Sequence, residues 1–359
     1  MEIKLNLVPK KERKKKPDDE SKLGFGIIFT DHMFQMKWKK DQGWYDAQIK
    51  KYEKFLISPA AIVLHYSIEI FEGLKAYRTP NGQIQLFRPQ MNIERLNKSA
   101  ERMVMPTVDP KFALESLVSL IKIEKDWVPK SFGTSLYIRP TMIGMDEFIG
   151  VHPAEEVLYY IILSPVGTYY PSGFNPIDIY VEDKYIRAAV GGVGYAKTGG
   201  NYAASLLAAE LAKEKGFTQV LWLDAKEHKY IEEVGTMNQF FVFEDEVVTP
   251  PLTGSILPGV TRDSVIRILK DWGYKVSERI ISIDEILENA QSGKLKEAFG
   301  TGTAAVITPV GLFHYKGKNL IVGGDKNRVG ELTKRLYDYL TNIQYGNIED
   351  PYGWVLKIE

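Results

Sequence analysis

The chain has 359 residues, more than one core usually accommodates, and 44% of them are hydrophobic, enough to fill two. Lys+Arg 46 balances Asp+Glu 46, which argues against a general attraction to nucleic acid or to an anionic membrane and favours a small-molecule substrate. With no cysteine there is no disulfide framework, thiolate nucleophile or cysteine metal ligand, so an intracellular, cytoplasmic protein is expected.

The five histidines (His32, His65, His152, His228 and His314) lack the spacing that one helix face turns into ligands, so no metal site is expected. Residues 1–23 carry a lysine run from Lys10 to Lys16, followed by Pro17-Asp-Asp-Glu20, and no apolar stretch of membrane or signal length; they read as a solvated, flexible basic arm. Residues 24–165 alternate short β-rich runs with helical stretches, the pattern of a smaller mixed α/β domain. Within it, Ala76 to Arg88 reads as a hairpin turning at Pro80-Asn81-Gly82. Asn92 to Ala100 and Phe112 to Trp127 have helical spacing, whereas Thr134 to Arg139 and Val157 to Leu163 read as strands.

Residues 166–176, rich in proline and glycine, are the expected interdomain linker, and 177–359 the larger domain. Strands are expected at Ile177 to Val181, Gln219 to Asp224 and Gln239 to Phe243, and helices at Ala203 to Lys215 and Arg262 to Trp272. No internal repeat is visible.

The segment Gly191-Gly-Val-Gly-Tyr-Ala-Lys-Thr-Gly-Gly-Asn-Tyr-Ala203 sets one lysine among five glycines. Glycine is costly in regular structure, so this density points to close backbone approach or a bend, with Lys197 as the reacting group. A damaged phosphate loop is the competing reading: Gly191 to Thr198 matches Gly-x-x-x-x-Gly-Lys-Thr except at Ala196, and Val220 to Asp224 resembles a magnesium-binding strand. That chemistry needs a helix starting at the lysine, and Thr198-Gly-Gly-Asn201 interrupts one.

Four further segments carry weaker signals. Leu257-Pro-Gly-Val-Thr261 precedes an amphipathic helix and reads either as an anion cup or as an ordinary turn with Thr261 as N-cap. Phe299-Gly-Thr-Gly-Thr-Ala-Ala305 is a second anion-binding or plain turn, and Leu86-Phe-Arg-Pro89 ends a strand with an arginine suited to phosphate or to a surface ion pair. Glu232-Glu-Val-Gly-Thr-Met-Asn238 places carboxylates ahead of an apolar strand, where a solvated turn is the alternative.

Taken in order, His65-Tyr-Ser-Ile-Glu-Ile-Phe-Glu-Gly73, Leu86-Phe-Arg-Pro89, Tyr137-Ile-Arg-Pro140, Tyr195-Ala-Lys-Thr-Gly-Gly-Asn-Tyr202, Glu233-Val-Gly-Thr-Met-Asn238, Leu257-Pro-Gly-Val-Thr-Arg262 and Gly302-Thr-Ala304 resemble the branched-chain amino-acid aminotransferases. The resemblance runs from about Gly24 to Val322. It implies a two-domain fold-type-IV enzyme of α+β or α/β class, with a smaller mixed domain and a larger domain built on a pseudo-barrel of strands with helices. It also implies pyridoxal 5'-phosphate as cofactor, amino acids and 2-oxo acids as small-molecule partners, and a homodimer without nucleic-acid or membrane partners. The implied activity is ping-pong transamination of leucine, isoleucine and valine with 2-oxoglutarate.

Residue by residue, the resemblance makes Lys197 the covalent anchor of the cofactor and the proton shuttle, and Glu233 the partner of the ring nitrogen. Tyr202 would bind the phenolic oxygen and Leu257 would lie on the ring. Arg88, Val260, Thr261 and Thr303 would hold the phosphate, with Gly259 permitting close approach. Tyr137, Thr303 and Ala304 would take the α-carboxylate, and Tyr66, Phe71, Gly73, Val166, Tyr169 and Thr236 would line the side-chain pocket. Arg139 would meet the distal carboxylate of glutamate at the rim. The loop from Met145 to Pro153 would reach a neighbouring subunit through Val151, and Gly167 to Asn175 would act as a lid. Where mammalian relatives carry a Cys-x-x-Cys pair this chain reads Ala305-Val-Ile-Thr308, so thiol regulation does not transfer. D-amino-acid transamination, a lyase of the same fold, and cofactor binding without turnover are the other readings; Tyr137-Ile-Arg139 favours the branched-chain activity over the first two, and the set Lys197, Glu233 and Arg88 argues against the third.

Overall fold

The structure is a computed structural model and describes residues 1–167 and 173–358. Two compact units divide it: the first takes residues up to 167, Ala196–Gly199 and those from Asn342 onward, and the second takes 173–195 and Gly200–Thr341.

In the first unit the strands are β1 (Lys4–Asn6), β2 (His32–Lys39), β3 (Gly43–Lys51), β4 (Glu69–Phe71), β5 (Leu74–Arg78), β6 (Ile84–Phe87), β7 (Ser135–Gly144) and β8 (Glu156–Val166). They form one sheet in the order β1-β3-β2-β8-β7-β5-β6, closed on the far edge by the C-terminal strand Val355–Ile358, with β4 paired to β7. The helices α1 (Ile62–Tyr66), α2 (Pro89–Arg102) and α3 (Pro110–Ile123) complete the unit. Both longer helices start with proline in the first turn, where its missing N–H costs nothing, and Asp109 caps α3 by accepting from Phe112 N–H at 2.8 Å. Leu96, Leu117, Leu120 and Ile121 of these helices share a core with Phe34, Ile138, Met142 and Ile161 of the sheet. The expected hairpin is present: Thr79 N–H donates to Gln83 O at 2.8 Å, and Gly82 takes φ +85°, which favours glycine.

The N-terminal arm is a correction to the sequence reading. It is laid down on the first unit rather than solvated: β1 pairs in parallel with β3, and Val8 and Leu23 are buried. Val8 N–H donates to His32 Nε2 at 2.9 Å, Lys14 N–H to Asp31 at 2.8 Å, and the Glu20 carboxylate accepts from Lys130 and Ser131 N–H. The lysine side chains stay outside, and the Lys14 amine reaches the Phe29 and Thr30 carbonyls. Charge dominates the composition, yet backbone pairing and two apolar anchors decide the structure.

The second unit holds β9 (Ile177–Glu182), β10 (Gln219–Leu223), β11 (Ile231–Val234), β12 (Met237–Val242), β13 (Val247–Thr249), β14 (Val276–Glu278), β15 (Glu297–Gly302), β16 (Val306–Tyr315) and β17 (Lys318–Ile321). The order is β11-β10-β9-β16-β15-β12-β13-β14, and because β11 also pairs with β12, six strands close on themselves as a small barrel. Ile179, Leu221, Val234, Phe241, Ala298 and Phe313 are buried in its core. Its helices are α5 (Leu206–Glu214), α6 (Val260–Asp271) and α7 (Ile283–Gln291); α4 (Gly199–Ala203) and α8 (Glu331–Tyr345) each cross a boundary between the units. The helix expected from Ala203 to Lys215 is α5, starting at Leu206; the short α4 ahead of it ends at Ala203, and between them Ser205 Oγ donates to Tyr202 O at 2.7 Å.

Candidate active site

The stretch Thr198–Asn201, expected to interrupt a helix, instead enters one, since α4 starts at Gly199; that start is still two residues past Lys197, so no helix begins at the lysine itself. The segment Ala196–Gly199 belongs to the first unit. Lys197 is held there by both faces of its peptide: its N–H donates to Ser99 Oγ at 2.9 Å, and its carbonyl accepts from Phe71 N–H at 2.9 Å. Thr198 Oγ1 adds a bond to the Glu69 carbonyl at 2.7 Å. The backbone is thereby fixed at the root of the side chain. The amine at its far end, Nζ, lies 4.7 Å from the centre of the Phe71 ring.

Beside it, Glu72 is fully buried and bound by Arg95 at 2.7 Å and Asn92 at 2.8 Å. Burial works to raise its carboxyl, but Arg95, Lys197 and Asn92 outweigh that and hold it below the ordinary range. Lys197 thus faces a fixed negative charge that no motif announces.

Three other sequence-derived residues, Gly73, Tyr137 and Arg139, meet beside Phe71. The Tyr137 hydroxyl rests against Gly73, where any Cβ would overlap it, which explains glycine at that position. Arg139 donates to Tyr137 Oη at 2.9 Å and places its guanidinium 4.6 Å from the Phe71 ring centre. Phe25, to which the sequence assigns no role, packs on Tyr137 at 5.0 Å between ring centres. Val166 is buried at the end of β8, opposite Ser135, and Tyr66 packs partly buried against the core of the unit. Arg88 ends the hairpin in a left-handed conformation, φ 50°, its guanidinium 4.7 Å from the Trp354 ring centre. Val151 is 83% exposed on the Met145–Pro153 loop. Tyr169 and most of the expected lid lie outside the described residues.

The second unit gathers the remaining residues. Glu233 is no solvated turn: it lies in β11, 3% exposed, paired with Arg187 at 2.8 Å and accepting from Asn238 Nδ2 at 2.9 Å. The tight β11–β12 turn at Gly235 (φ +57°) folds this carboxylate inward opposite Asn238. Arg187 also donates to the carbonyls of Gly194 and Ser255, so it ties the glycine-rich turn to the acid. Gly194 is obligatory there, since a Cβ would overlap Ser255 O and stand 2.7 Å from Ala188 Cβ. Tyr202, Glu233, Thr236 and Leu257 line one small pocket with Arg187, Asn201 and Ser205.

The α6 helix starts at Val260, with Gly259 as N-cap and no side chain capping it, so Thr261 lies inside the first turn rather than ahead of it. Amides of an uncapped first turn suit an anion. Asn238, which also donates to Leu257 O at 2.9 Å, lies so close to Gly259 that a Cβ would overlap its Oδ1. Thr303 and Ala304 occupy the partly exposed turn between β15 and β16. A separate cavity of about 420 Å³, along Lys296, Glu297, Asp325 and Arg328, holds none of the sequence-derived residues. The described residues contain no group of His, Cys, Asp or Glu able to hold a metal ion.

Arg187, Glu72 and Ser99 escape a reading of the sequence because their partners are remote in the chain, whereas Asn238 lies only five residues from Glu233, within one motif, and the sequence assigns it no role. The one local hint is a cation, Arg187, four residues before the first glycine of the lysine segment. Chemically, the first unit offers an amine beside an aromatic face, a tyrosine and an arginine; the second offers a buried carboxylate and an uncapped helix terminus.

Comparison with known proteins gives the family. Residues 69–313 match the family model described as amino-transferase class IV. Branched-chain-amino-acid transaminase 1 of Bacillus subtilis (strain 168) is 52% identical over 346 residues, covering 96% of each chain. Among solved structures, the branched-chain amino acid aminotransferase of Escherichia coli superposes with a TM-score of 0.75 at 29% identity, over 90% of this chain and 99% of its own. The T.th. branched-chain amino acid aminotransferase complexed with N-(5'-phosphopyridoxyl)-L-glutamate gives 0.73 at 26% identity, over 90% and 98%. The two-unit architecture with a strand barrel is that of fold type IV. With Lys197 pinned on the sheet, Glu233 buried on the barrel and a family match that spans both, the chain belongs to the class IV aminotransferases.

Proposed function

We propose that the protein is a pyridoxal-phosphate-dependent branched-chain amino-acid transaminase that transfers the amino group of L-leucine, L-isoleucine or L-valine to 2-oxoglutarate. The observation that carries the reading is Lys197 itself: its peptide is fixed by Ser99 and Phe71 while its amine lies over an aromatic face shared with Tyr137 and Arg139. The naming of the Bacillus subtilis relative supports it.

The residues present fit the cofactor. The uncapped first turn of α6, at Val260 and Thr261, suits its phosphate, and the buried Glu233 carboxylate suits a ring N–H. Arg88 and Thr303 would add donors for the phosphate, Tyr202 would donate to the phenolic oxygen, and Leu257 would lie against the ring. When bound, pyridoxal phosphate supplies the electron sink for the charge left on the substrate Cα.

Lys197 would hold the cofactor through its aldehyde carbon, and its Nζ would be the group that carries a proton to and from the substrate Cα. Glu72, buried beside it and bound by Arg95 and Asn92, sets a negative charge near that amine. Glu233 keeps the ring N–H in place, and Arg187 supplies its counter-charge and fixes its orientation. Tyr137 orients the α-carboxylate with the Thr303 and Ala304 amides, while Tyr66, Phe71, Gly73, Val166, Tyr169 and Thr236 exclude water from the substrate side chain. Arg139 serves the distal carboxylate of glutamate.

The enzyme is further proposed to be a cytoplasmic homodimer. In the single chain Phe148, Ile149 and Val151 are exposed on one loop, an apolar tip that suits a second copy and costs free energy in water. Loaded with cofactor, the protein should be yellow and lose that colour when L-leucine or L-glutamate is added. Colour that persists with both overturns the proposal, and D-alanine turnover above that of L-leucine favours the D-amino-acid reading.

A further inference from the structure

The sheet face that carries Phe71, Tyr137 and Arg139 holds one acid to which no role has been given. Antiparallel register sets Glu69 opposite Ile143 and Phe71 opposite Thr141, so Glu69, Phe71, Thr141 and Arg139 lie on one face. Position 69 is anchored through its carbonyl, which accepts from Thr198 Oγ1 at 2.7 Å. The carboxylate rests against the backbone at Gly199, two residues past Lys197, where any Cβ would overlap Glu69 Oε1. Two cations flank the Phe71 ring beside it, the Arg139 guanidinium at 4.6 Å and Lys197 Nζ at 4.7 Å from its centre. Burial raises the Glu69 carboxyl above its ordinary value, and Arg139 opposes the rise, so the two side chains feel each other across the face.

We infer that Glu69 is a specificity-determining residue whose carboxylate competes with the distal carboxylate of an acidic substrate for Arg139. A pocket that takes both apolar and acidic side chains needs its guanidinium balanced when the substrate brings no charge. Glu69 supplies that balance from the same face. An acidic substrate must then bind against Glu69's field, which sets glutamate affinity below what Arg139 alone would give.

The inference rests on the transaminase reading above. The test compares wild type with Glu69→Gln, Glu69→Ala and Glu69→Asp, measuring kcat and KM for L-glutamate with 4-methyl-2-oxopentanoate and for L-leucine with 2-oxoglutarate. Both uncharged variants should raise the kcat/KM ratio of glutamate over leucine roughly fivefold or more, through a lower glutamate KM, as expected for removing one like charge from a partly buried site. Glu69→Asp, which keeps the charge, should stay within about twofold of wild type. A ratio that does not move or that falls in the uncharged variants overturns the inference, as does an equal shift in Glu69→Asp. A wild-type enzyme that uses leucine but not glutamate overturns the substrate assignment itself, and the inference with it.

Discussion

Removing the Arg187 guanidinium is the sharpest structural test of how Glu233 is held. Arg187 and Glu233 are 8% and 3% exposed, and their charged atoms are 2.8 Å apart. Such a pair adds little net stability over an apolar substitute, but removing one partner strands a charge in the interior, which costs about 3–5 kcal/mol. Arg187→Met should therefore lower the unfolding free energy by about 3–5 kcal/mol, with a further contribution from the Gly194 and Ser255 carbonyls it leaves unpaired. For a unit of this size that is a fall in Tm of roughly 6–20 °C. Glu233→Gln replaces the stranded charge by a neutral amide, so the double variant Arg187→Met with Glu233→Gln should be destabilised by about 2 kcal/mol less than the sum of the two single variants. Urea unfolding followed by tryptophan fluorescence, on all four proteins at equal cofactor concentration, measures the cycle. Additivity within about 0.5 kcal/mol would refute the claim that the pair acts as a unit.

Glu232, next in the strand, has its carboxyl pushed up to about 7 by burial, with Ser255 and Arg187 opposing. Because the folded pKa lies above the unfolded one, its stabilising protonation is complete below the ordinary glutamate pKa and is lost as pH rises to about 7. Glu232→Gln should flatten the fall in stability across that window, which urea midpoints at successive pH values would read; an unchanged slope counts against it. Gly259→Ala drives a methyl into Asn238 Oδ1 and so pulls Asn238 from Glu233 and from Leu257 O. Overpacking of this kind costs about 1–3 kcal/mol, and cofactor titration should show Kd raised roughly tenfold; a Kd within twofold would refute the close-approach role. Arg139→Ala should reduce kcat/KM for glutamate by about a hundredfold, the scale of a lost charge-assisted bond, and for leucine far less; equal losses would remove its role at the rim.

Much of this is legible in the sequence wherever local pattern and local physics agree. The helix α6 announces itself by its amphipathic spacing and the Pro-Gly turn before it, and the Ala76–Arg88 hairpin by Asn81-Gly82. Lys197 stands out because glycine is too costly to cluster without a spatial reason, and at Gly194 and Gly199 the reason is overlap with Ser255 O and Glu69. The failures share a cause, since each depends on partners distant in sequence. For Glu233 the local residues leave a solvated turn open beside the functional reading, and Arg187 and the closing of β11 on β12 bury it. The arm from Lys10 to Lys16 reads as flexible because lysines dominate it, whereas Val8, Leu23 and the bond to His32 hold it down.

The central claim is tested most directly by mixing purified protein, pyridoxal phosphate, L-leucine and 2-oxoglutarate and following L-glutamate, with Lys197→Ala alongside. Loss of the group that both anchors the cofactor and moves the proton should slow turnover by roughly four orders of magnitude or more. Glutamate should therefore accumulate with wild type and barely with the variant. No glutamate from leucine, isoleucine or valine, or undiminished formation by Lys197→Ala, would contradict the account.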